Sequence, residues 1–470
     1  MTLTVSLGVP FLLLHIFLAG FSFSHLLLRK EDLRSAFAWL IVIAGLPFLG
    51  SLVYWIFGIN RISRRAHKLM ANRYALFARE SDDQLDLVDA SWQPQALAMQ
   101  KLSGRLLCTS RQIEHFHTGD QAYPAMLNAI AKAKSSIYAC FYNFDGDGES
   151  WRFIEAIGAA QQRGLDVRVV LDGLGVFASQ ADAVAGFRSA GVACELFNPP
   201  KLLPPRIHIN LRNHRKLLVI DQAQAFTGGM NIVNGNVSTD ARAASIDEFF
   251  AVEGRIVRQL LASFLADWSF SGGELEDNIA LPEFSDEAGV LCRAIEDGPD
   301  KSEHLGLMAL VGACTLAKEK IRLVSPYFIP PEPLVTAIQL AALRGVEVQI
   351  LIPQAPDHRL MGWACEHALG RLLRPGIQVF QMPPPFMHSK LYVFDSYYCL
   401  FGSSNLDARS LKLNFEMLVE IYDQKFTKSM AEHIDKLVDQ AIPLTLSQLR
   451  ERSLWLRLRA AMTTLFAPYL

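Results

Sequence analysis

The chain has 470 residues, of which 51% are hydrophobic, and its mean hydropathy of +0.19 is high for a protein without membrane segments. Lys and Arg number 45 against 47 Asp and Glu, so the net charge of −2 argues against a nucleic-acid-binding protein with a strongly basic surface. Seven Cys occur singly, without a Cys-x-x-Cys pair, which is typical of reduced, buried thiols rather than of a disulfide framework or a zinc module.

Two uncharged stretches come first in the chain. Val5 to Leu28 and Ala36 to Ile59 contain no Lys, Arg, Asp or Glu, and each is about long enough to cross a ~30 Å hydrocarbon core as a helix. A cleaved signal peptide is an alternative for the first stretch, but no Lys or Arg precedes it and a second apolar stretch follows. Two buried core helices are the other alternative. We predict two transmembrane helices in residues 1–60.

Basic residues follow each apolar stretch and predict its orientation. Positive charges near membrane spans are retained in the cytoplasm, and they also favour anionic headgroups. The larger cluster lies in a juxtamembrane connector, residues 61–105, and the smaller one in the short link between the stretches. The clusters consist of Arg61, Arg64, Arg65, Lys68 and Arg73, and of Arg29, Lys30 and Arg34. We therefore predict a multi-pass membrane protein whose remaining domains are cytoplasmic.

Residues 106–280 and 281–470 contain two similar passages of short apolar strands alternating with helices. This alternation predicts two α/β lobes with mixed, largely parallel sheets flanked by helices. In each passage a helix ends at an Arg-Gly pair, as helices often do, and we expect the lobe boundary near residues 272–287. The predicted helices are 125–133, 150–163, 309–317 and 333–344, and the predicted strands are 136–142, 166–171, 321–325 and 347–352.

The last predicted element is a basic, amphipathic helix at residues 449–470, which contains Trp455. Such a helix can rest on a membrane surface or pack on its own domain, and the sequence leaves both alternatives open.

The pattern His-x-Lys-x4-Asp occurs once in each lobe. In both copies a Gly follows the His at position +14 and an Asn at +17. Identical register over this length indicates a duplicated unit that presents the same groups to one shared site. The candidate catalytic residues are His214, Lys216, Asp221, His388, Lys390 and Asp395, and the matching downstream residues are Gly228, Asn231, Gly402 and Asn405. We take the two Asn as candidate phosphate-binding residues.

Strand geometry divides each motif into two parts. Side chains alternate between the faces of a strand, so His214 and Lys216 share a face and Asp221 has the opposite parity. The second copy has the same spacing. We therefore expect His and Lys to meet the substrate, and each Asp to anchor the end of its strand through local hydrogen bonds or to pair with a basic group behind the site.

Two His and two Lys around one point suit covalent chemistry on a phosphodiester. The ammonium groups can neutralise the charge on the phosphoryl oxygens without a metal or another cofactor. One neutral imidazole can attack phosphorus while a protonated imidazole donates to the departing oxygen. Each His also needs an orienting carboxylate, for which Asp247 and Glu416 are the candidates. Which His is the nucleophile stays open at this point.

The doubled motif resembles that of the phospholipase D superfamily, and further segments are similar to bacterial cardiolipin synthases. These segments are 57–65, 212–221, 227–231, 413–416 and 466–470, so the resemblance extends over essentially the whole chain. It implies an enzyme of the bacterial inner (cytoplasmic) membrane that transfers a phosphatidyl group from one phosphatidylglycerol to another through a phosphohistidine, releasing glycerol. It also implies that His214 is the nucleophile, that His388 is the acid and base, and that Asp247 and Glu416 orient the pair.

The chain departs from the family pattern at two places. Ser245-Ile246-Asp247 stands where Trp-Arg-Asp is usual, and residues 381–387 are Pro-rich. The carboxylate is retained, so we expect the same core chemistry. The main alternative is a phospholipase D-type hydrolase of membrane phospholipids, because the same residues can pass a phosphatidyl group to water. The two apolar stretches and the lack of a basic domain argue against a nuclease, and the full set of motif residues argues against an inactive scaffold.

Overall fold

The computed structural model describes residues 2–30, 33–58, 84–178, 182–200, 210–274, 288–298, 304–373 and 376–465. The chain divides into two compact units, residues 1–66 and 67–470. Three predicted features lie outside the described residues: the basic cluster at 61–73, most of the expected lobe boundary at 275–287, and the end of the chain at 466–470.

The first unit contains helices α1 (Thr2–Arg29), α2 (Leu33–Gly45) and α3 (Leu49–Val53), and a π-helical turn at Tyr54–Gly58. Within the described residues, one helix is long and apolar enough to cross a membrane, and it is the Val9–Arg29 part of α1. The second predicted span is instead divided near Pro47, which cannot donate a backbone hydrogen bond. Two transmembrane helices are therefore not confirmed.

The second apolar stretch folds back alongside α1. Phe48 N lies 3.4 Å from His15 Nδ1, and Trp55 Nε1 donates to Ser22 Oγ over 3.0 Å. Farther along, Lys30 Nζ donates to Gly58 O over 3.1 Å. Residues 48–58 thus run in the same direction as α1 and return to its carboxyl end, which makes α2 and the following residues a helical hairpin.

Within the described residues, the second unit begins with a 3₁₀ turn at Leu85–Leu87 and contains a seven-stranded, a nine-stranded and a two-stranded sheet. Up to the middle of the chain its elements are α4 (Gln93–Ser103), β1 (Cys108–Ser110), β2 (Gln112–Phe116), α5 (Gly119–Lys132), β3 (Ser136–Phe141), α6 (Gly148–Gln162), β4 (Asp166–Asp172), α7 (Ala183–Ser189), β5 (Ala193–Phe197), β6 (Leu217–Ile220), β7 (Gln224–Gly228), β8 (Phe249–Glu253) and α8 (Ile256–Ser271). The first sheet has the order β2-β8-β7-β6-β3-β4-β5. We call this sheet and its helices the first lobe.

The second sheet is built mostly from the carboxy-terminal half. The remaining elements are β9 (Val290–Asp297), α9 (Leu305–Leu316), β10 (Lys320–Val324), β11 (Phe328–Ile329), α10 (Glu332–Leu343), β12 (Glu347–Pro353), α11 (Arg359–Leu372), β13 (Gln378–Met382), β14 (Leu391–Phe394), β15 (Tyr398–Gly402), β16 (Leu406–Asp407), β17 (Glu416–Tyr422), α12 (Gln424–Val438), β18 (Ile442–Leu444), α13 (Leu446–Arg450) and α14 (Leu454–Thr464). The sheet order is β1-β9-β17-β15-β14-β10-β12-β13-β18. We call this sheet and its helices the second lobe.

The two lobes repeat one strand arrangement, and their sheets are mixed as predicted. In each, parallel strands (β3-β4-β5 and β10-β12-β13) join a set of antiparallel ones. The expectation of largely parallel sheets is wrong, because antiparallel pairs predominate. Short turns after β6 and β14 force the next strand to pair antiparallel, whereas a parallel pair needs a long crossover. Continuous apolar strands do not distinguish these alternatives.

Part of the predicted connector belongs to the second lobe. Helix α4 buries Ala96 and Met99, and the preceding Trp92 stacks on Tyr398 with ring centroids 5.0 Å apart. Strand β1 pairs with β9 in the second sheet. The helical spacing of the apolar residues at positions 92, 96 and 99 could have predicted this packed helix, because they share one helical face. The polar residues between them led to the prediction of a connector.

The carboxy-terminal helix packs on its own lobe. The Arg459 guanidinium lies 4.0 Å from the ring centroid of Trp363 on α11, and Thr464 Oγ1 donates to Ala364 O over 3.3 Å. Its other face exposes Leu454 and Trp455, the latter 72% accessible. One face of this helix thus packs on its own lobe, and the other exposes apolar side chains that a membrane surface could cover.

Candidate active site

The two His-x-Lys segments lie just before equivalent central strands, β6 and β14. Each segment is tied to the opposite lobe by backbone hydrogen bonds: His214 N donates to Phe415 O over 2.8 Å, and His388 N donates to Ile246 O over 2.7 Å. These contacts belong to two matching parallel bridges between the lobes, Asn213 with Phe415 and Ile246 with Met387. The duplicated register read from the sequence therefore corresponds to an approximate twofold relation in space.

Both imidazoles line one cavity of about 230 Å³. The two Asn at position +17, Asn231 and Asn405, line it as well. The other lining residues are Tyr142, Asn143, Tyr327, Asp357, His358, Met361, Asp407, Arg409, Ser410 and Asn414. The structure thus brings four of the predicted residues, two from each lobe, to a shared pocket of a size suited to a phosphate ester headgroup.

A carboxylate from the opposite lobe holds each His. His214 Nδ1 lies 3.1 Å from Glu416 Oε2, and His388 Nδ1 lies 2.7 Å from Asp247 Oδ2. Ser403 Oγ also donates to Glu416 Oε2 over 2.5 Å. A carboxylate at Nδ1 fixes the tautomer in which Nδ1 carries the proton and Nε2 has the free electron pair. Each of the two candidate orienting carboxylates thus lies at Nδ1 of the His from the opposite lobe.

The two lysines are buried directly behind the histidines. Lys216 Nζ donates to His214 O over 2.7 Å, and Lys390 Nζ hydrogen-bonds to His388 O and lies 2.9 Å from His388 Nδ1. Among the described residues that line the cavity, neither lysine is present. Each ammonium group therefore lies next to its own His and is not part of the described cavity lining.

Burial and charge set the protonation of the imidazoles. Burial lowers the pKa of His214 well below its usual value, and the ammonium groups of Lys216 and Lys390 lower it further. The pKa of His388 is also lowered, first by burial and then by Lys390, against the opposing effect of Asp247. Both shifts favour the neutral imidazole in the free protein.

The charged partners are shifted by burial as well. Desolvation lowers the pKa of Lys216 to about 7 and that of Lys390 to about 8. It raises the pKa of Glu416 to about 7 against the opposing charge of Lys216. Ionisable groups shifted towards neutrality and gathered at a cavity are typical of catalytic sites.

Both motif aspartates lie at turns away from the cavity. Asp221 accepts hydrogen bonds from the backbone N–H groups of residues 134–136, and Asp395 accepts them from those of residues 318–320. Their φ angles are +50° and +52°, a left-handed conformation that Asp tolerates. The structure thus places each Asp at the end of its strand, where it accepts local backbone hydrogen bonds. This is the first of the two alternatives predicted for these residues.

The glycines at position +14 are needed for close packing between strands. A Cβ atom at Gly228 would lie 2.3 Å from Glu248 O, and one at Gly402 would lie 2.1 Å from Met417 O. These glycines thus let β7 and β15 approach the strands that follow Asp247 and begin with Glu416, so they help to place the orienting carboxylates.

Sequence reasoning missed several groups that line the cavity. Tyr142 and Tyr327 follow β3 and β10 and lie over the two imidazoles, with ring centroids 5.0 Å and 6.5 Å away from His214 and His388. They are not at equivalent positions, since Tyr142 comes one residue after β3 and Tyr327 three residues after β10, so the repeat gave no signal for them. Comparison of the two repeats could not identify Arg409, because the equivalent position in the first repeat, four residues after Asn231, is Gly235.

Fold and site together define a class: a duplicated α/β protein whose two phospholipase D-like lobes share one paired-histidine pocket. Residues 126–268 and 310–438 match the family model described as "Cardiolipin synthase, PLD-like domain", and residues 17–58 match "Phospholipase_D-nuclease N-terminal". Since the first match covers more than half of the chain, the chain belongs to the family of cardiolipin synthase, PLD-like domains.

Individual relatives agree with this assignment. The chain is 28% identical to a cardiolipin synthase from Clostridium perfringens over 94% of this chain and 95% of that protein. It is 27% identical to one from Listeria welshimeri over the full length of both. The fold is similar to that of a phosphatidylserine synthase from Haemophilus influenzae, with a TM-score of 0.63, 14% identity, and coverage of 80% of this chain and 100% of that one.

Proposed function

We propose that this protein is a cardiolipin synthase that transfers a phosphatidyl group from one phosphatidylglycerol to another. The observation that carries the proposal is the pair of imidazoles at one cavity, each held at Nδ1 by a carboxylate of the opposite lobe. The relatives of matching length are cardiolipin synthases. One phosphodiester is exchanged for another, so the reaction needs no nucleotide.

In the first half-reaction His214 is the nucleophile. With Nδ1–H directed at Glu416, the Nε2 electron pair of His214 attacks phosphorus, and an N–P bond forms as the P–O bond to the glycerol headgroup breaks. His388, protonated once the anionic substrate is bound, gives its proton to the departing oxygen. Glycerol leaves, and a phosphatidyl-histidine remains.

In the second half-reaction His388 acts as the base. Its neutral imidazole takes the proton from a headgroup hydroxyl of the second phosphatidylglycerol, whose oxygen attacks phosphorus while the N–P bond breaks. The electron pair returns to His214 Nε2 and cardiolipin leaves. Asp247 at Nδ1 of His388 stabilises the imidazolium that forms.

Positive charge for both transition states comes from side chains. Lys216 and Lys390 lie next to the imidazoles, and Arg409 lines the cavity. Asn231 and Asn405 add neutral amide groups at the wall. In a pocket shielded from water, such preorganised groups stabilise developing phosphoryl charge strongly.

Hydrolysis is the second candidate, since water could replace the acceptor hydroxyl in the second half-reaction. The test is product analysis with the purified full-length protein in detergent micelles containing phosphatidylglycerol. We expect cardiolipin and glycerol in equal amounts. Phosphatidic acid without cardiolipin would overturn the synthase assignment in favour of the hydrolase.

We propose that α1 crosses the inner membrane and that the catalytic unit lies in the cytoplasm, on the side of the predicted basic clusters. Two crossings, as the sequence predicts, would place residue 2 in the cytoplasm too. The contacts of Phe48, Trp55 and Gly58 with α1 favour a re-entrant second stretch, which would place residue 2 outside. The exposed face of α14 with Leu454 and Trp455 fits a membrane surface.

A further inference from the structure

A second cluster of imidazoles lies outside the active-site cavity. It consists of His115 on β2, Glu248 just before β8 and His433 on α12. One side-chain donor atom of each residue lies within 4.8 Å of the other two. His433 Nε2 is 3.1 Å from Glu248 Oε1, and His115 Nε2 hydrogen-bonds to Glu248 Oε2. Two nitrogen donors and one carboxylate thus converge from three separate elements.

The surroundings of the cluster suit an ion that enters from solvent. The side chain of Glu248 is 1% exposed, whereas those of His115 and His433 are 16% and 18% exposed. A third imidazole, His117, lies beside them, with its ring centroid 5.6 Å from that of His433 and 6.1 Å from that of His115. The carboxylate is buried, and the imidazoles close the site towards the surface.

We propose that His115, Glu248 and His433 form a binding site for a divalent transition-metal ion, of which Zn²⁺ fits best. Zn²⁺ prefers imidazole nitrogen and carboxylate oxygen at ~2.0–2.2 Å in a tetrahedron, which places donor atoms roughly 3.3–3.5 Å apart. In the present structure the three donor atoms lie within 4.8 Å of one another, which is near this spacing. His117 or water supplies the fourth ligand. Mg²⁺ and Ca²⁺ prefer oxygen ligands and are disfavoured.

The ion would join the two lobes next to the paired histidines. His115 and Glu248 belong to the first lobe, and His433 to the second. Ser389, between His388 and Lys390, donates to Glu248 Oε1 over 2.9 Å, and the neighbouring Asp247 holds His388. The ion is therefore a positioning element for the segment that carries His388, and it takes no part in bond making or breaking.

The test measures Zn²⁺ binding to the full-length protein in detergent, with any affinity tag removed and bound metal stripped by a chelator. Calorimetric titration should give about one tightly bound Zn²⁺ per chain, and the melting temperature should rise with Zn²⁺. His115→Ala and His433→Ala should each weaken binding at least ~100-fold, the upper end of the loss found even for outer-sphere changes. His367→Ala, at an exposed His on α11, is the matched control and should bind as the parent does.

Two results would overturn the proposal. One is a wild-type protein that binds no Zn²⁺ in the titration, in which case the cluster is a hydrogen-bond network only. The other is unchanged binding in both Ala variants. The wild-type protein loaded with Co²⁺ gives a reading that does not depend on variants folding: an intense tetrahedral visible spectrum supports the site, and the weak spectrum of hydrated Co²⁺ contradicts it.

Discussion

His214 and His388 have the same motif but different surroundings. His214 Nδ1 faces Glu416, whose pKa burial raises to about 7, whereas His388 Nδ1 faces Asp247 and also lies 2.9 Å from Lys390 Nζ. The two rings therefore respond differently when a phosphodiester brings a negative charge into the cavity. This asymmetry fits the proposed mechanism, in which one ring stays neutral and attacks while the other carries a proton.

The nucleophile can be identified by trapping the intermediate. His214→Ala should abolish the covalent phospho-enzyme, because it removes the ring whose Nε2 is proposed to attack phosphorus, while His388 serves as acid and base. The measurement is acid-quenched protein after incubation with phosphatidylglycerol labelled at phosphorus. His367→Ala should retain the label. Label trapped at the parent level in His214→Ala would exclude this residue as the nucleophile.

The lysines can be tested by removing each charge in turn. Lys216→Ala and Lys390→Ala should each lower turnover by about two to three orders of magnitude, as loss of one preorganised transition-state group does. The measurement is the rate of cardiolipin formation at saturating phosphatidylglycerol. Lys428→Ala, at an exposed lysine on α12, serves as the control. Activity within about threefold of the parent in both variants would refute an electrostatic role.

The pH dependence should have an alkaline limb to which loss of charge on the lysines contributes, beside loss of the proton that His388 donates. Burial lowers the pKa of Lys216 to about 7 and that of Lys390 to about 8, so a rise in pH through these values removes positive charge from the site. The neutral His214 needed for attack is present throughout, because its pKa lies well below its usual value. We expect kcat/KM to fall as pH increases from about 7 to about 9, measured at constant ionic strength. A kcat/KM that increases over this range would contradict these protonation states.

At the scale of the element, the sequence predicted the local structure well. The strands Ser136–Phe141, Asp166–Asp172, Lys320–Val324 and Glu347–Pro353 lie where continuous apolar runs were found, and Gly164 and Gly345 end helices with positive φ. The sheet direction was not predicted because continuous apolar strands do not distinguish parallel from antiparallel pairing, and the short turns after β6 and β14 were not taken into account. The fold-back of residues 48–58 along α1 could not be predicted, because it depends on contacts between distant residues. The same holds for the exchange of Asp247 and Glu416 between lobes: spacing identifies an acid, but only the fold assigns it to a His.

The turn aspartates should be important for stability rather than for chemistry. The Asp221 carboxylate accepts three backbone N–H groups and the Ser135 hydroxyl, so Asp221→Ala leaves these donors without this partner. We expect a loss of about 1–3 kcal/mol in the free energy of unfolding, seen as a lower melting temperature.

The equivalent Asp395→Ala should behave alike, and Asp240→Ala, at an exposed position, should be neutral. Folded Asp221→Ala protein should retain the covalent intermediate. Normal stability together with lost phosphorylation would instead point to a direct role in the reaction.

At the scale of the whole molecule, the cysteines make the membrane topology measurable. All seven are buried, so a single introduced thiol on the surface would dominate labelling by a membrane-impermeant maleimide. Ser429→Cys, at an exposed position on α12, should react only after the cells are opened if the catalytic unit is cytoplasmic. Labelling of this variant in intact cells would refute that placement.

A thiol at the other end of the chain distinguishes the two membrane arrangements. Thr2→Cys should react in intact cells if the second apolar stretch is re-entrant, because α1 is then the single crossing. With two full crossings it would react only in opened cells. The Lys30–Gly58 contact favours labelling in intact cells. It shows that the second apolar stretch begins and ends near the carboxyl end of α1, as a re-entrant segment does.

The reciprocal holding of the histidines has a consequence during synthesis. His214 and the carboxylate that holds it are 202 residues apart, and the amino-terminal apolar helix is made before either of them. A nascent chain at the membrane therefore contains His214 before Glu416 and His388 have been synthesised. The partly synthesised chain has no complete active site and cannot react with the surrounding lipids. We therefore expect activity to begin only after both lobes have been translated and folded.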